Sequence, residues 1–261
     1  PKPTIKMKIE TLQEALTDVQ INFPFNNLRR LLKWDDHSQR LPKAFGGACV
    51  FQLKQLREHL KNFEEFEIHY IEEIGGTHSV MICMHKVTGK LILMDPFLLH
   101  KEPIDLSKIL AERTARKFAI HPTLAGSGQM CIEIRPGSGS SFQITLYYNP
   151  WNEMDYTVYA FNASKLLPHH PSITEDRIKS EVPELALRVF NPEEGTTTLA
   201  ANVNTGTLVI RKKGLHSQKY YEATTGFDAE LARVSERVHL DVSELLKLFA
   251  DARKIYSGFR K

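Results

Sequence analysis

Phe45-Gly46-Gly47-Ala48-Cys49 leads into Val50-Phe51-Gln52-Leu53-Lys54-Gln55-Leu56-Arg57-Glu58-His59-Leu60, and the reading of the chain turns on this stretch. Val50, Leu53, Leu56 and Leu60 fall on one helical face, so the spacing predicts an amphipathic helix that begins at the cysteine. The glycine pair permits a sharp approach of the backbone just before it. Cys49 is therefore expected in the first helical turn, where unpaired N–H groups and the helix dipole favour negative charge. A thiol is mostly protonated at neutral pH. To act as a nucleophile it needs such a site together with a base.

Two residues further along supply the rest of that chemistry. His78 stands in Gly75-Gly76-Thr77-His78-Ser79-Val80, at the mouth of an apolar strand, and Asp95 ends the next strand in Leu93-Met94-Asp95-Pro96-Phe97. Thr88-Gly89 reads as the hairpin turn between them. His78 lies about ten residues before that turn and Asp95 about six beyond it, so a bulge or side-chain reach is needed to bring them together. An acid at the end of an apolar strand requires a partner. Asp95 is expected to fix the tautomer of His78, and His78 to hold the proton of Cys49. Alone, Cys49 would read as a small packed residue; the ordered set of three is what raises the catalytic reading. Cys83 and Cys131 sit within strand runs and are expected to be packed thiols. His37, His59, His85, His100 and His121 have no acid in a comparable setting and are expected in exposed or structural roles. His169-His170 is expected to be solvated rather than metal-binding.

Composition excludes more than it selects. The chain has 261 residues, 42% hydrophobic and 25% charged, which is enough for one large domain or a few small lobes and is not the composition of a disordered chain. The net charge is only +3, and pairs such as Arg29-Arg30 and Lys212-Lys213 read as solvated faces, so no nucleic-acid partner is expected. Three cysteines without CxxC spacing argue against a disulfide scaffold or a structural zinc site and fit a reducing compartment. No apolar run approaches the roughly 18–20 residues that span a bilayer. Pro1-Lys2-Pro3-Thr4-Ile5-Lys6 lacks the apolar block of a signal peptide, so a cytoplasmic protein without membrane attachment is expected.

Along the chain the pattern is α+β. Residues 1–66 read as a helical lobe carrying Cys49, with Leu12, Leu16, Val19, Leu28, Leu31 and Leu32 at helical spacing and interruptions at Pro24 and Pro42. Residues 67–165 read as a β lobe carrying His78 and Asp95, with strands near 68–71, 79–84, 91–94, 131–135, 142–148 and 157–161. Gly126-Ser127-Gly128 and Gly137-Ser138-Gly139 read as turns, because strands and not helices follow them, which disfavours a phosphate-cradling loop. Residues 166–261 read as a linker and a mixed α/β lobe, with strands near 186–190, 197–202, 207–211 and 219–222 and helices near 228–237 and 242–256.

At these residues the chain resembles the arylamine N-acetyltransferases, whose signature is Arg-Gly-Gly-x-Cys, then a Thr-His strand, then an Asp ending the following strand. Ile21-Asn22-Phe23-Pro24-Phe25-Asn26-Asn27-Leu28 is similar to the family's Ile-Pro-Phe-Glu-Asn-Leu segment, and Glu102-Pro103-Ile104-Asp105-Leu106 to its Ala-Pro-Leu-x-Leu stretch. Phe161-Asn162 to Pro171-Ser172 is similar to the crossover into the family's third lobe. The resemblance implies an N-terminal helical bundle, a central β-barrel and a C-terminal α/β lid on a cysteine-proteinase-like core. It also implies Cys-His-Asp chemistry in which acyl-CoA acylates the thiol and an amine then receives the group. The chain departs from the family's pattern at key positions: Phe45 stands for the family's Arg, Asn26 for its Glu, Leu53 for its Asn, and Pro96-Phe97-Leu98-Leu99 for its Ala-Gly-Phe-Gly loop.

The expected activity is acyl transfer from a thioester, acyl-CoA or carrier-bound, through Cys49 to a small-molecule amine, with His78 as proton shuttle and Asp95 as its orienting acid. Backbone N–H groups near Cys49, and Thr77, are expected to support the oxyanion. Phe25, Phe45 and Phe97 are the candidates for the substrate pocket. No metal and no permanently bound cofactor is expected; the thioester is a co-substrate, and a carrier protein is a candidate partner. A cysteine hydrolase or transglutaminase-like enzyme uses the same three groups, and a scaffold that has lost turnover is the third reading.

Overall fold

The computed structural model describes residues 5–32, 41–76, 78–121, 131–147, 156–170, 184–213, 218–222 and 226–259. The described residues form an α+β fold with three antiparallel sheets and six α-helices. They divide into two compact units: residues 1–20 with 53–172, and residues 21–52 with 173–261. Among the described residues no helix is long and apolar enough to cross a membrane.

The first unit holds the two sheets of the β lobe. Strands β2 (Phe66–Glu72), β3 (Ser79–His85), β4 (Leu91–Met94) and β5 (Ile104–Asp105) pair in sequence order, and so do β6 (Arg116–Ala119), β7 (Cys131–Pro136), β8 (Ser141–Tyr147) and β9 (Tyr156–Asn162). The β3–β4 hairpin closes where the sequence puts it: Gly89 takes φ 66° and its N–H donates to the carbonyl of His85 at 2.8 Å. A positive φ is costly for a side-chain-bearing residue, which is why glycine sits at this tip. The Gly137–Ser141 segment is likewise a turn, joining β7 to β8, with the Gly137 N–H donating to the Ser141 carbonyl at 2.8 Å. Gly126-Ser127-Gly128 lies outside the described residues. β3 is buried along most of its length, so its apolar run reads continuously instead of alternating. Helix α1 (Ile5–Asn22) contributes Leu12, Leu16 and Val19, all fully buried, and α4 (Leu106–Glu112) is capped by the Asp105 carboxylate, which accepts from Lys108 N–H at 3.0 Å. The stretch after β9, expected as a linker, begins as structure. Leu167 bridges Tyr70 of β2 through hydrogen bonds of 2.9 and 2.8 Å, and His170, expected to be solvated, packs edge-on to the Tyr70 ring at 5.1 Å.

The second unit is built on a five-stranded sheet in the order β1 (Phe25–Asn26), β10 (Glu184–Asn191), β11 (Gly195–Asn202), β12 (Leu208–Lys213), β13 (Gln218–Glu222). Helices α2 (Leu28–Leu32), α5 (Phe227–Arg237) and α6 (Val242–Phe259) belong to the same unit. Leu28, Leu31, Leu32 and Phe45 share one apolar core with Leu187 and Leu199 from the sheet and Leu245, Phe249 and Tyr256 from α6. Alternate residues of β10 point inward, giving the strand its half-buried pattern. The N-terminal strand β1 completes the sheet by pairing Phe25 with Arg188 and Asn26 with Leu187.

Candidate active site

The histidine and the aspartate meet. His78 Nε2 lies 2.6 Å from Asp95 Oδ2; the histidine is 3% exposed and the aspartate fully buried. The hairpin register explains how. Met81 pairs with Met94, so continuing the ladder places Asp95 opposite Val80. His78 lies two residues before Val80, on the same face by the period of two, so the pair is a diagonal cross-strand neighbour. No bulge is needed. The mismatch in distance from the turn is taken up by that diagonal and by side-chain reach.

Both side chains are held from behind. Asp95 caps the short 3₁₀ turn Pro96–Leu98, with its Oδ1 accepting from Phe97 N–H at 3.0 Å, so its second oxygen is the one turned to His78. The His78 carbonyl accepts from Glu73 N–H at 2.9 Å, which closes the loop between β2 and β3 just ahead of the imidazole. The ring is then walled by aromatics, with Phe97 at 5.0 Å, Tyr159 at 4.8 Å and Phe161 at 6.4 Å between centroids. A buried carboxylate is acceptor-only, so the His78 nitrogen facing it carries the proton and the other ring nitrogen is left as the basic one. The sequence places the acid where the strand ends, and Pro96 at the next position begins the turn that exposes the Phe97 N–H to the carboxylate.

Cys49 belongs to the second unit and is half-buried at the first residue of α3 (Cys49–Leu60), the predicted position. The loop before it is stitched to the segment around β1. Gly47 N–H donates to the Pro24 carbonyl at 3.0 Å, Asn26 N–H to the Gly47 carbonyl at 2.9 Å, and the Asn26 side-chain amide to the Phe45 carbonyl at 2.5 Å. Asn26 and Phe45, two of the departures from the family pattern, are thus joined in one contact. Arg29 and Arg30, expected as solvated residues, turn inward instead. The Arg29 guanidinium lies 4.6 Å from the Phe51 ring centroid and 6.0 Å from that of Phe45, and donates to the Pro42 carbonyl at 2.7 Å. Arg30 sits within electrostatic reach of Cys49 and Tyr256, and burial lowers its pKa. A short helix with three buried leucines leaves its arginines no fully solvated side, a constraint that charge alone does not reveal.

Gly46 is required where it stands. Its φ is 71° with ψ −150°, a region essentially reserved for glycine, and a Cβ there would lie 1.8 Å from the Pro24 carbonyl oxygen. Gly46→Ala is expected to destabilise the protein by on the order of 3 kcal/mol, from backbone strain and displacement of the 24–26 segment. A urea midpoint equal to that of the wild type would contradict it.

The remaining candidates are placed as follows. Phe45 is fully buried in the core of its unit, Phe25 lies under the Arg188 guanidinium at 5.3 Å, and Phe97 is half-buried over the His78 ring. Thr77 lies outside the described residues. Cys83 is fully buried and its thiol pKa is pushed up to about 12, while burial also raises that of Cys131. His59, expected to lack a paired acid, lies beside Asp18 at 3.4 Å; His69 lies beside Glu67 at 3.5 Å, and both acids are partly exposed. His100, expected in an exposed or structural role, is fully buried beside Asp95.

No protein-family model and no curated protein matches the chain by sequence. Among solved structures it is similar to the arylamine N-acetyltransferase of Mycobacterium marinum, with a TM-score of 0.54 at 12% identity, covering 95% of this chain and 93% of that one. At that identity the likeness is one of fold: over nearly its whole length, the chain shares the architecture of an arylamine N-acetyltransferase.

Proposed function

We propose that this protein is a cysteine-dependent acyltransferase, which takes an acyl group from a thioester onto Cys49 and passes it to an amine. The observation that carries the reading is the buried His78–Asp95 pair at 2.6 Å, formed on a fold shared with an arylamine N-acetyltransferase. The reading joins Cys49 to that pair. His78 takes the thiol proton as the sulfur attacks the thioester carbonyl; the carbonyl carbon gains a bond to Cys49 sulfur and loses its bond to the donor sulfur, and the donor leaves as a thiol with the proton from His78. An amine then attacks the acyl-cysteine, its proton passes to His78, and Cys49 departs to recover it, leaving an amide. N–H groups at the start of α3 are the oxyanion donors in this scheme, with Thr77 as a further candidate.

Transfer is preferred to hydrolysis because the His78 ring is packed among Phe97, Tyr159 and Phe161, an enclosure that disfavours water as the general acceptor. Where the family carries a glycine loop, this chain carries the 3₁₀ turn Pro96–Leu98 with Pro96 and Leu98 buried. The donor is accordingly taken as a thioester class, acyl-CoA or carrier-bound, with a small-molecule amine as acceptor. The finer architecture (barrel over 67–165, α/β lid over 166–261) and a cytoplasmic setting go with this reading.

The test is intact mass spectrometry after mixing the protein with a panel of acyl-CoA and carrier-mimicking thioesters. A single acyl increment on Cys49, discharged by amines faster than by water, is expected. Discharge by water alone would make the protein a hydrolase, and no adduct with any thioester would leave a scaffold without turnover.

A further inference from the structure

His100 holds Asp95 by a contact that the three-residue scheme does not include. Its ring is fully buried, and its Nε2 accepts the Asp95 backbone N–H at 2.9 Å. A nitrogen that accepts carries no proton, so in the neutral ring the proton is on Nδ1, which lies 2.7 Å from the Glu102 carbonyl and donates to it. The His100 carbonyl is fixed in turn by the Gln20 side-chain amide at 3.1 Å. The ring thus does the work of a backbone carbonyl, accepting the Asp95 N–H just past the end of β4. Leu99, in the left-handed region at φ 55°, bends the chain back so that residue 100 can reach residue 95.

We propose that His100 is a positioning residue for the acid–imidazole pair. Held as the neutral Nδ1–H tautomer, it sets the backbone of Asp95 so that one carboxylate oxygen caps Phe97 N–H and the other meets His78. Burial pushes the His100 pKa down, against smaller upward pulls from the Glu102 carbonyl and the Asp95 charge, in keeping with a ring that stays neutral. Its consequence for catalysis rests on the acyl-transfer reading above; its structural part does not.

The experiment uses the full chain labelled with ¹⁵N-histidine. At neutral pH the wild-type His100 nitrogens are expected to report a proton on Nδ1 and none on Nε2; a protonated ring, or the opposite tautomer, overturns the proposal without any variant. The second signal is the deshielded proton between His78 and Asp95, assigned by its disappearance in His78→Gln. It is expected to be lost or displaced in His100→Leu and regained in His100→Gln, whose side-chain oxygen can reach the place of Nε2. The rate of Cys49 acylation is expected to fall about tenfold or more in His100→Leu, with half-saturation by the thioester unchanged, and to recover in His100→Gln. A folded His100→Leu that keeps both the proton signal and the rate overturns the proposal. If His100→Leu does not fold, loss of the signal in His100→Gln overturns it and retention supports it. Should no thioester acylate Cys49 while the proton signal follows this pattern, the acyl-transfer reading fails and the positioning of Asp95 stands.

Discussion

Cys49→Ala is expected to abolish acyl transfer while leaving unfolding free energy within about 1 kcal/mol of the wild type. The two halves of that result rest on different features. On the acyl-transfer reading proposed above, Cys49→Ala removes the attacking group and with it the covalent route; in a well-studied serine protease, deletion of the nucleophile costs on the order of 10⁶ in turnover. No other thiol can take over. Cys83 is fully buried, with its pKa pushed up to about 12, so it is neither accessible nor ionised near neutral pH, and burial likewise raises the pKa of Cys131. Stability is spared because Cys49 is half-buried at the first residue of α3, alanine is a better helix former than cysteine, and the loop ahead of it is held through backbone atoms and Asn26, not through the sulfur. Parallel assays of product and of urea midpoint check both halves. Residual transfer above a few per cent would remove Cys49 from its role; a large loss of stability would assign the sulfur to packing.

How much of this was legible in the sequence depends on the range of the forces involved. The helix at Cys49, the β3–β4 hairpin with Gly89 at its tip, and strands β10 to β13 of the second unit follow from local periodicity and turn chemistry, and they stand within a residue or two of where those signals put them, whereas the two-residue β1 fell in a stretch read as helical. The meeting of His78 with Asp95 was expected through a bulge or side-chain reach; reach contributes and no bulge is needed, since counting from the turn misses the diagonal neighbour that a continuous ladder creates. Arg29 and Arg30 were misread because their burial is decided by partners remote in sequence, Phe45, Phe51 and Tyr256 among them. α4 was missed for a different reason: seven residues carry too few turns to show a period, and its main signal is the Asp105 cap. His100 carried no signal at all. Only Leu99 in the left-handed region folds it back on Asp95, and leucine gives no hint of that conformation.

Asp95→Asn is expected to lower Cys49 acylation by about 10³–10⁴-fold without unfolding the chain, and the reason is which way the new amide must point. In the wild type Oδ1 accepts the Phe97 N–H and Oδ2 faces His78 Nε2. The Phe97 N–H is a donor and can be met only by the oxygen of an asparagine, so the NH₂ group is turned toward the imidazole. Two donors cannot share one hydrogen bond. The ring relieves the conflict by shedding its proton from Nε2 and carrying it on the other nitrogen, which is the one that must be bare to accept the thiol proton. The fold survives because the amide fills the same volume and still caps the 3₁₀ turn, whereas Asp95→Ala would leave both His78 and the Phe97 N–H without this partner in a site that is 3% exposed at the imidazole. Alkylation of Cys49 by iodoacetamide gives a readout independent of any substrate. It is expected to slow in Asp95→Asn and in His78→Ala, with Cys83 unreactive throughout. If the alkylation rate of Cys49 is the same in all three proteins, the thiol does not depend on the His78–Asp95 pair, and a mechanism that couples them is wrong.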